Sequence, residues 1–231
     1  MEVMIALTLA ACVVLLGNHL SRIAADRHGK RISATDVRSL QQALEVLQLL
    51  QKHRGLGGQR DAEASAQRIA VADRLEQLWQ DWKGDENRPA MRALWQQVRQ
   101  NPVDFEPHCI LIEQVLGSIH VLELRLTCQG NPQVTGICEA CRALEDLGRL
   151  RGLAVRAANF ETCPLNMQIQ MRQLCQRLAD RIGGKTLTNL IEHLERNLID
   201  APRISLAPAE CYALITPIID ERLQGVRHSI A

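Results

Sequence analysis

Apolar residues recur at steps of three and four along most of the chain, the spacing of helices with one buried face. Val37, Leu40, Leu44, Leu47 and Leu50 form the first such face, behind cap-forming residues at Ser33, Thr35 and Asp36. One more step of four reaches Arg54, where Gly55, Gly57 and Gly58 are expected to weaken or bend the helix. A second helix is expected from about Asp61 to Trp82. A loop follows at Lys83–Asn87, and then a short helix from Pro89 to about Arg99. Asn101 to Pro107 reads as a break with two prolines, followed by a long helix from about Cys109 to Thr127. After the turn Gln129-Gly130-Asn131-Pro132, residues Ile137, Cys141, Leu144, Gly148, Arg151, Val155 and Ala158 alternate steps of four and three. That is a heptad-like seam with Arg151 inside it. Helices over about 165–182, 186–199 and 208–224 complete the pattern, separated by Gly183-Gly184 and Ala201-Pro202. No run of alternating β-branched residues predicts a strand.

These eight segments have short connections, which favour antiparallel neighbours. The predicted fold is all-α, two antiparallel helix bundles side by side, preceded by an N-terminal apolar helix. The helical domain spans 33–226, with pseudo-repeated halves at about 33–128 and 132–226. The repeat is marked by Arg54-Gly55 and Arg151-Gly152, 97 positions apart.

The first 21 residues differ from the rest. Val3 to Ser21 contains no Asp, Glu, Lys or Arg, and Arg22, Arg27, Lys30 and Arg31 follow it. This predicts a membrane anchor over 1–21 with the main domain in the cytoplasm by the positive-inside rule. A buried terminal helix is the alternative to an anchor, and a periplasmic domain the alternative orientation. Leu9-Ala10-Ala11-Cys12 resembles a lipoprotein processing box, but the apolar run continues past it.

Composition narrows the function. Aromatics are 3% of the chain against 46% hydrophobic residues, which favours aliphatic helix packing over a β-sandwich. A net charge of +1 gives no electrostatic footprint for nucleic acid. Eight cysteines are scattered through the chain, and a cytoplasmic protein keeps them as free, small apolar residues. Cys138-Glu139-Ala140-Cys141 has metal-ligand spacing, with Cys128 and Cys163 nearby, but lacks a second pair; a thiol metal or redox protein is a weaker alternative. Trp79, Trp82 and Trp95 read as packing residues, and His108, His120 and His193 as isolated core or solvated histidines. Arg177, Arg181 and Lys185 read as a solvated face. No nucleophile–base pair or paired carboxylates predict an enzyme, and no cofactor is expected.

Arginines on an apolar stripe are the main chemical signal. A buried guanidinium is costly unless an anion meets it, and its planar fork matches a planar oxyanion. The alternatives are that each side chain reaches the edge of its stripe or pairs with an internal Glu. Gly55 and Gly152 remove side chains that would crowd an anion between helices.

Gln51-Lys52-His53-Arg54-Gly55-Leu56 and Glu145-Asp146-Leu147-Gly148-Arg149-Leu150-Arg151-Gly152 resemble the two Arg-Gly motifs of the nitrate- and nitrite-sensing (NIT) domain family. The resemblance spans about 35–225. It implies two four-helix bundles and binding of nitrate or nitrite through Arg54 and Arg151, with His53, Gly55 and Gly152 beside them. His53 stands where an acidic residue is common, and Gly57 where a small hydroxyl residue is common. Family members are usually fused to an output module. With the chain ending at Ala231, signalling is expected through a protein partner in trans or through a homodimer. A helical adaptor that has lost its ligand is the second expectation.

Overall fold

The computed structural model describes His19 and residues 32–82, 88–181 and 183–230. The apolar segment 1–21, with its expected membrane anchor, lies outside the described residues apart from His19. Among the described residues there are eight helices and no strand. The helices are α1 (32–56), α2 (Ala62–Asp81), α3 (Arg88–Gln100), α4 (Phe105–Cys128), α5 (Ile137–Ala157), α6 (Leu165–Arg181), α7 (Lys185–Leu194) and α8 (Pro208–His228). A 3-10 turn at Pro132–Val134 joins α4 to α5, and α7 runs on into a π-helical turn at Glu195–Ile199.

Local sequence accounts for most boundaries. Asp61 caps α2 by accepting from the Ala64 N–H at 2.8 Å. Pro208 occupies the first turn of α8, and Glu210 reaches back to the Ala207 N–H at 2.7 Å. Two boundaries differ from expectation. Helix α1 is already helical at Ile32, and Ser33 and Asp36 lie inside it, holding tertiary contacts. Ser33 accepts from Asn131 at 3.0 Å and Asp36 from Gln129 at 2.8 Å. Helix α4 begins at Phe105 rather than Cys109, with Pro107 in its first turn, where no intrahelical N–H is required.

Helix α5 is central, packing against α4, α6 and α8. It also runs beside α1 in the same direction. Residue pairs along that seam rise together, from Gln51 with Glu145 to Gly58 with Asn159. Helix α3 packs on α4, and Glu76 of α2 ties down Arg92 and Trp95 of α3. Leucine dominates the core, and Trp79, Trp82 and Trp95 are all fully buried within it. Trp79 and Trp82 stack with ring centroids 5.2 Å apart. No helix among the described residues is long and apolar enough to cross a membrane.

Gly57 is fixed by packing. A Cβ placed there would lie 2.0 Å from the Pro102 carbonyl oxygen, so the close approach of the α3–α4 loop excludes the serine or threonine common in the resembling motif. Gly117, inside α4, faces open space. Gly57→Ala is therefore expected to destabilise the fold by about 1–3 kcal/mol through forced displacement of backbone. Gly117→Ala should instead stabilise it by up to about 1 kcal/mol. Urea unfolding of both variants checks the contrast; equal effects would contradict the packing at Gly57.

Candidate functional site

The two predicted arginines both point into the α1–α5 seam, and the structure treats them differently. Arg54 is 0% exposed and faces Glu145 of α5, itself 3% exposed. The pairing is bidentate. Arg54 Nη1 donates to Glu145 Oε1 at 2.7 Å, and Nη2 to Oε2 at 3.0 Å. Nη1 also donates to Cys109 Sγ at 3.3 Å. Burial pulls the Arg54 pKa down, but the charge and hydrogen bonds of Glu145 more than restore it, so the net direction is up. Gln51 donates to the same carboxylate at 3.0 Å. On its outer side Glu145 accepts from Arg149 Nε at 3.0 Å, and Arg149 continues to Glu113. These groups line a polar cleft of about 220 Å³ with Arg142, Asp146, Arg177 and Arg181. Arg177 and Arg181, expected as a solvated face, pair with Asp146 there.

Arg151 is 3% exposed, and no carboxylate among the described residues lies within ion-pair distance of it. Nη1 donates to Thr216 Oγ1 and Nη2 to the Gln51 carbonyl, each at 3.0 Å. Its Nε has no partner, and neither has the buried Tyr212 hydroxyl. The guanidinium lies over the Tyr212 ring at 4.6 Å. Burial lowers its pKa; Tyr212 offsets part of that, and the charge of Arg54 adds to the lowering.

The glycines explain how the arginines fit. A Cβ on Gly55 would lie 2.9 Å from the Tyr212 ring and 3.1 Å from Arg151 Nε. A Cβ on Gly152 would lie 2.7 Å from the Phe105 ring and 3.6 Å from Arg54 Nε. Each Arg-Gly pair thus gives its glycine to the arginine of the other pair. Arg54 lies 5.1 Å from the Phe105 centroid, matching Arg151 over Tyr212. The room the glycines leave is filled by guanidinium and aromatic ring. A larger groove of about 750 Å³ lies along Leu144, Leu147 and Val226 and contains none of the predicted site residues.

His53 is turned away from this seam. It packs edge-on against Trp95 and meets His108 with Nδ1 2.9 Å from Nε2. His108 Nδ1 lies 2.6 Å from the Asp104 carbonyl, which can only accept. His108 therefore donates from Nδ1, and its Nε2 accepts from His53. Burial, then the charge of Arg68, pushes His53 down to about 4. Burial, then His53, pushes His108 down to about 3. So His108 is a core residue as expected, but not an isolated one.

Cys138 and Cys141 are both buried on α5, and burial raises the Cys141 thiol to about 12. The seven described cysteines are all free, and five are buried.

Sequence reasoning passed over Glu145, Phe105, Tyr212 and Arg156. Arg156 donates to the carbonyls of Arg54, Gly152 and Val103 and so closes the end of α1. Burial, then the charge of Arg54, lowers it to about 10. A signal existed for the aromatics. The chain has one tyrosine and two phenylalanines, and two of these three residues sit on buried arginines.

Comparison with protein-family models, curated proteins and solved structures found no match for the chain.

Two outcomes follow from this geometry. Arg54→Met takes from Glu145 its buried bidentate partner and leaves it only Gln51 and the half-exposed Arg149. It is expected to cost about 2–4 kcal/mol, below the full cost of an unpaired buried charge, whereas Arg54→Met with Glu145→Leu should recover most of that loss. Denaturant titration of the single and double variants checks it. The histidine pair sets a pH dependence. Both folded pKa values lie below the unfolded value of about 6.5, so the unfolded chain binds more protons between the two. Stability is fully present above about pH 6.5 and falls as pH drops toward 4. The loss is about 1.6 kcal/mol per histidine between pH 6.5 and 5. His53→Asn should roughly halve that slope, measured by urea unfolding across the range.

Proposed function

We propose that the protein is a helical sensor that takes a small planar oxyanion, nitrate or nitrite, at the seam between α1 and α5. The observation that carries this reading is Arg151, a buried guanidinium without a carboxylate, with its own Nε and the Tyr212 hydroxyl left unpartnered. An oxyanion supplies both the missing charge and the missing acceptors. In this reading Glu145 is the internal anion of Arg54, and the polar cleft on its outer side is the route from solvent. Ligand shifts the packing of two four-helix bundles, α1–α4 and α5–α8, by favouring the arrangement that holds Arg54 and Arg151 closest. The matching contacts of Gly55 with Tyr212 and Gly152 with Phe105 support that pseudo-repeat. Residues 1–21 anchor the domain at the inner membrane, facing the cytoplasm, and its occupancy is read by a signalling protein in trans or by a second copy.

A second reading is a helical adaptor without ligand. The bidentate Arg54–Glu145 pair favours it, because there the anion is already part of the chain, although Arg54 Nε is left without an acceptor as Arg151 Nε is.

Thermal unfolding of the purified chain separates the two. Nitrate or nitrite should raise Tm relative to chloride at the same ionic strength, by the equivalent of about 2.7 kcal/mol at one hundred times Kd. Arg151→Met should abolish that response while leaving the unliganded Tm equal or higher, since an uncompensated buried charge is removed. No anion-specific shift, or one retained in Arg151→Met, supports the adaptor instead.

A further inference from the structure

A second site lies where α4 meets the start of α5, remote in its chemistry from the arginines. His120 and Glu123 stand three residues apart on α4, and Cys138 sits in the first turn of α5. One ligating atom from each, an imidazole nitrogen, a carboxylate oxygen and the thiol sulfur, lies within 4.8 Å of the other two. A tetrahedral zinc ion with bonds of about 2.0–2.3 Å needs donors about 3.4–3.6 Å apart, so small side-chain rotations bring the three onto one ion.

Glu123 is already held in place. Its Oε1 accepts from the Gly136 N–H at 2.6 Å and its Oε2 from the Cys138 N–H at 2.8 Å. Backbone donors of this kind orient a metal-binding carboxylate while leaving each oxygen a further lone pair. Cys138 is nearly buried, Glu123 half-buried and His120 exposed, so the cluster is dry on one side and reachable from solvent on the other.

We propose that His120, Glu123 and Cys138 form a binding site for a divalent cation of zinc type, with the fourth position open to water. The sulfur donor selects against magnesium and calcium, which prefer all-oxygen shells. Binding replaces the S–H bond of Cys138 by an S–metal bond and releases that proton to solvent; no electron is transferred. The site joins His120 and Glu123 near the end of the first half to Cys138 at the start of the second, closing the turn between them. It uses one cysteine of the C-x-x-C motif and not the other, because Cys141 lies one turn further along α5, at 0% exposure.

The test uses the full chain, stripped with chelator and titrated with Zn²⁺ against a chromophoric competitor, with Co²⁺ as a spectroscopic probe. The expected result is one equivalent per chain, a sulfur-to-cobalt charge-transfer band, and release of about one proton per ion bound. Cys138→Ser should remove the band, and Cys138→Ser and His120→Ala should each weaken binding at least about tenfold. His120 is exposed, so its loss leaves the fold intact, and circular dichroism of each variant checks this. Cys141→Ser and Cys128→Ser should change nothing. Failure to bind one equivalent, or binding unaffected by both Cys138→Ser and His120→Ala, overturns the site. Binding that survives His120→Ala and is lost in Cys141→Ser assigns the ion to the C-x-x-C pair and overturns it equally.

Discussion

A guanidinium withdrawn from water costs several kcal/mol unless charge and hydrogen bonds are returned to it, and at the α1–α5 seam that return comes from Glu145. The carboxylate serves two arginines at once, Arg54 inside and Arg149 outside, and accepts from Gln51 as well. Its position fixes the register of α1 on α5 far more sharply than leucine packing does, because a leucine tolerates a slide that a bidentate ion pair does not. Gly148 follows from the same constraint, since Arg54 Nη2 lies 3.1 Å from where its Cβ would be.

The second arginine shows what the seam does without such a partner. Arg151 is held by one hydroxyl, one helix carbonyl and the face of a ring, all weaker than a carboxylate. The two arginines occupy equivalent places, each over the glycine of the opposite motif, yet one is neutral with its surroundings and the other is not. That asymmetry between two reciprocal Arg-Gly contacts is what the proposed anion site rests on. His53 takes no part in it, since its hydrogen bond runs to His108 and not toward the seam.

Much of this was legible in the chain. The three-and-four spacing located eight helices, and the step from Leu50 to Arg54 and the seam through Arg151 identified two buried charges before any contact was known. Boundaries slipped where side chains that ordinarily cap were used elsewhere, as at Ser33 and Asp36, or where a proline fell in a first turn, as at Pro107. Partners were harder to read. Glu145 flanks the seam one position after Leu144 and looks like any helix-edge carboxylate; only the parallel alignment of α1 and α5 brings it to Arg54. The His53–His108 and His120–Glu123–Cys138 groupings likewise depend on which helices touch, and sequence spacing carries no information about that.

The distance along the chain between Arg54 and Glu145 has a consequence for how the protein is made. Ninety-one positions separate the two. At about 5–20 residues per second, α5 leaves the ribosome roughly 5–18 s after α1. Through that interval Arg54 has no carboxylate to receive it, so α1 cannot bury its last turn at the cost it bears in the finished fold. The contacts of α3 with α4 and of Glu76 with Arg92 and Trp95 do not involve α5, so the delay falls on the Arg54 end of α1. A helical protein is ordinarily a fast, local folder. Here one buried ion pair adds a contact of long sequence separation, so the last turn of α1 reaches its final burial only once α5 is present.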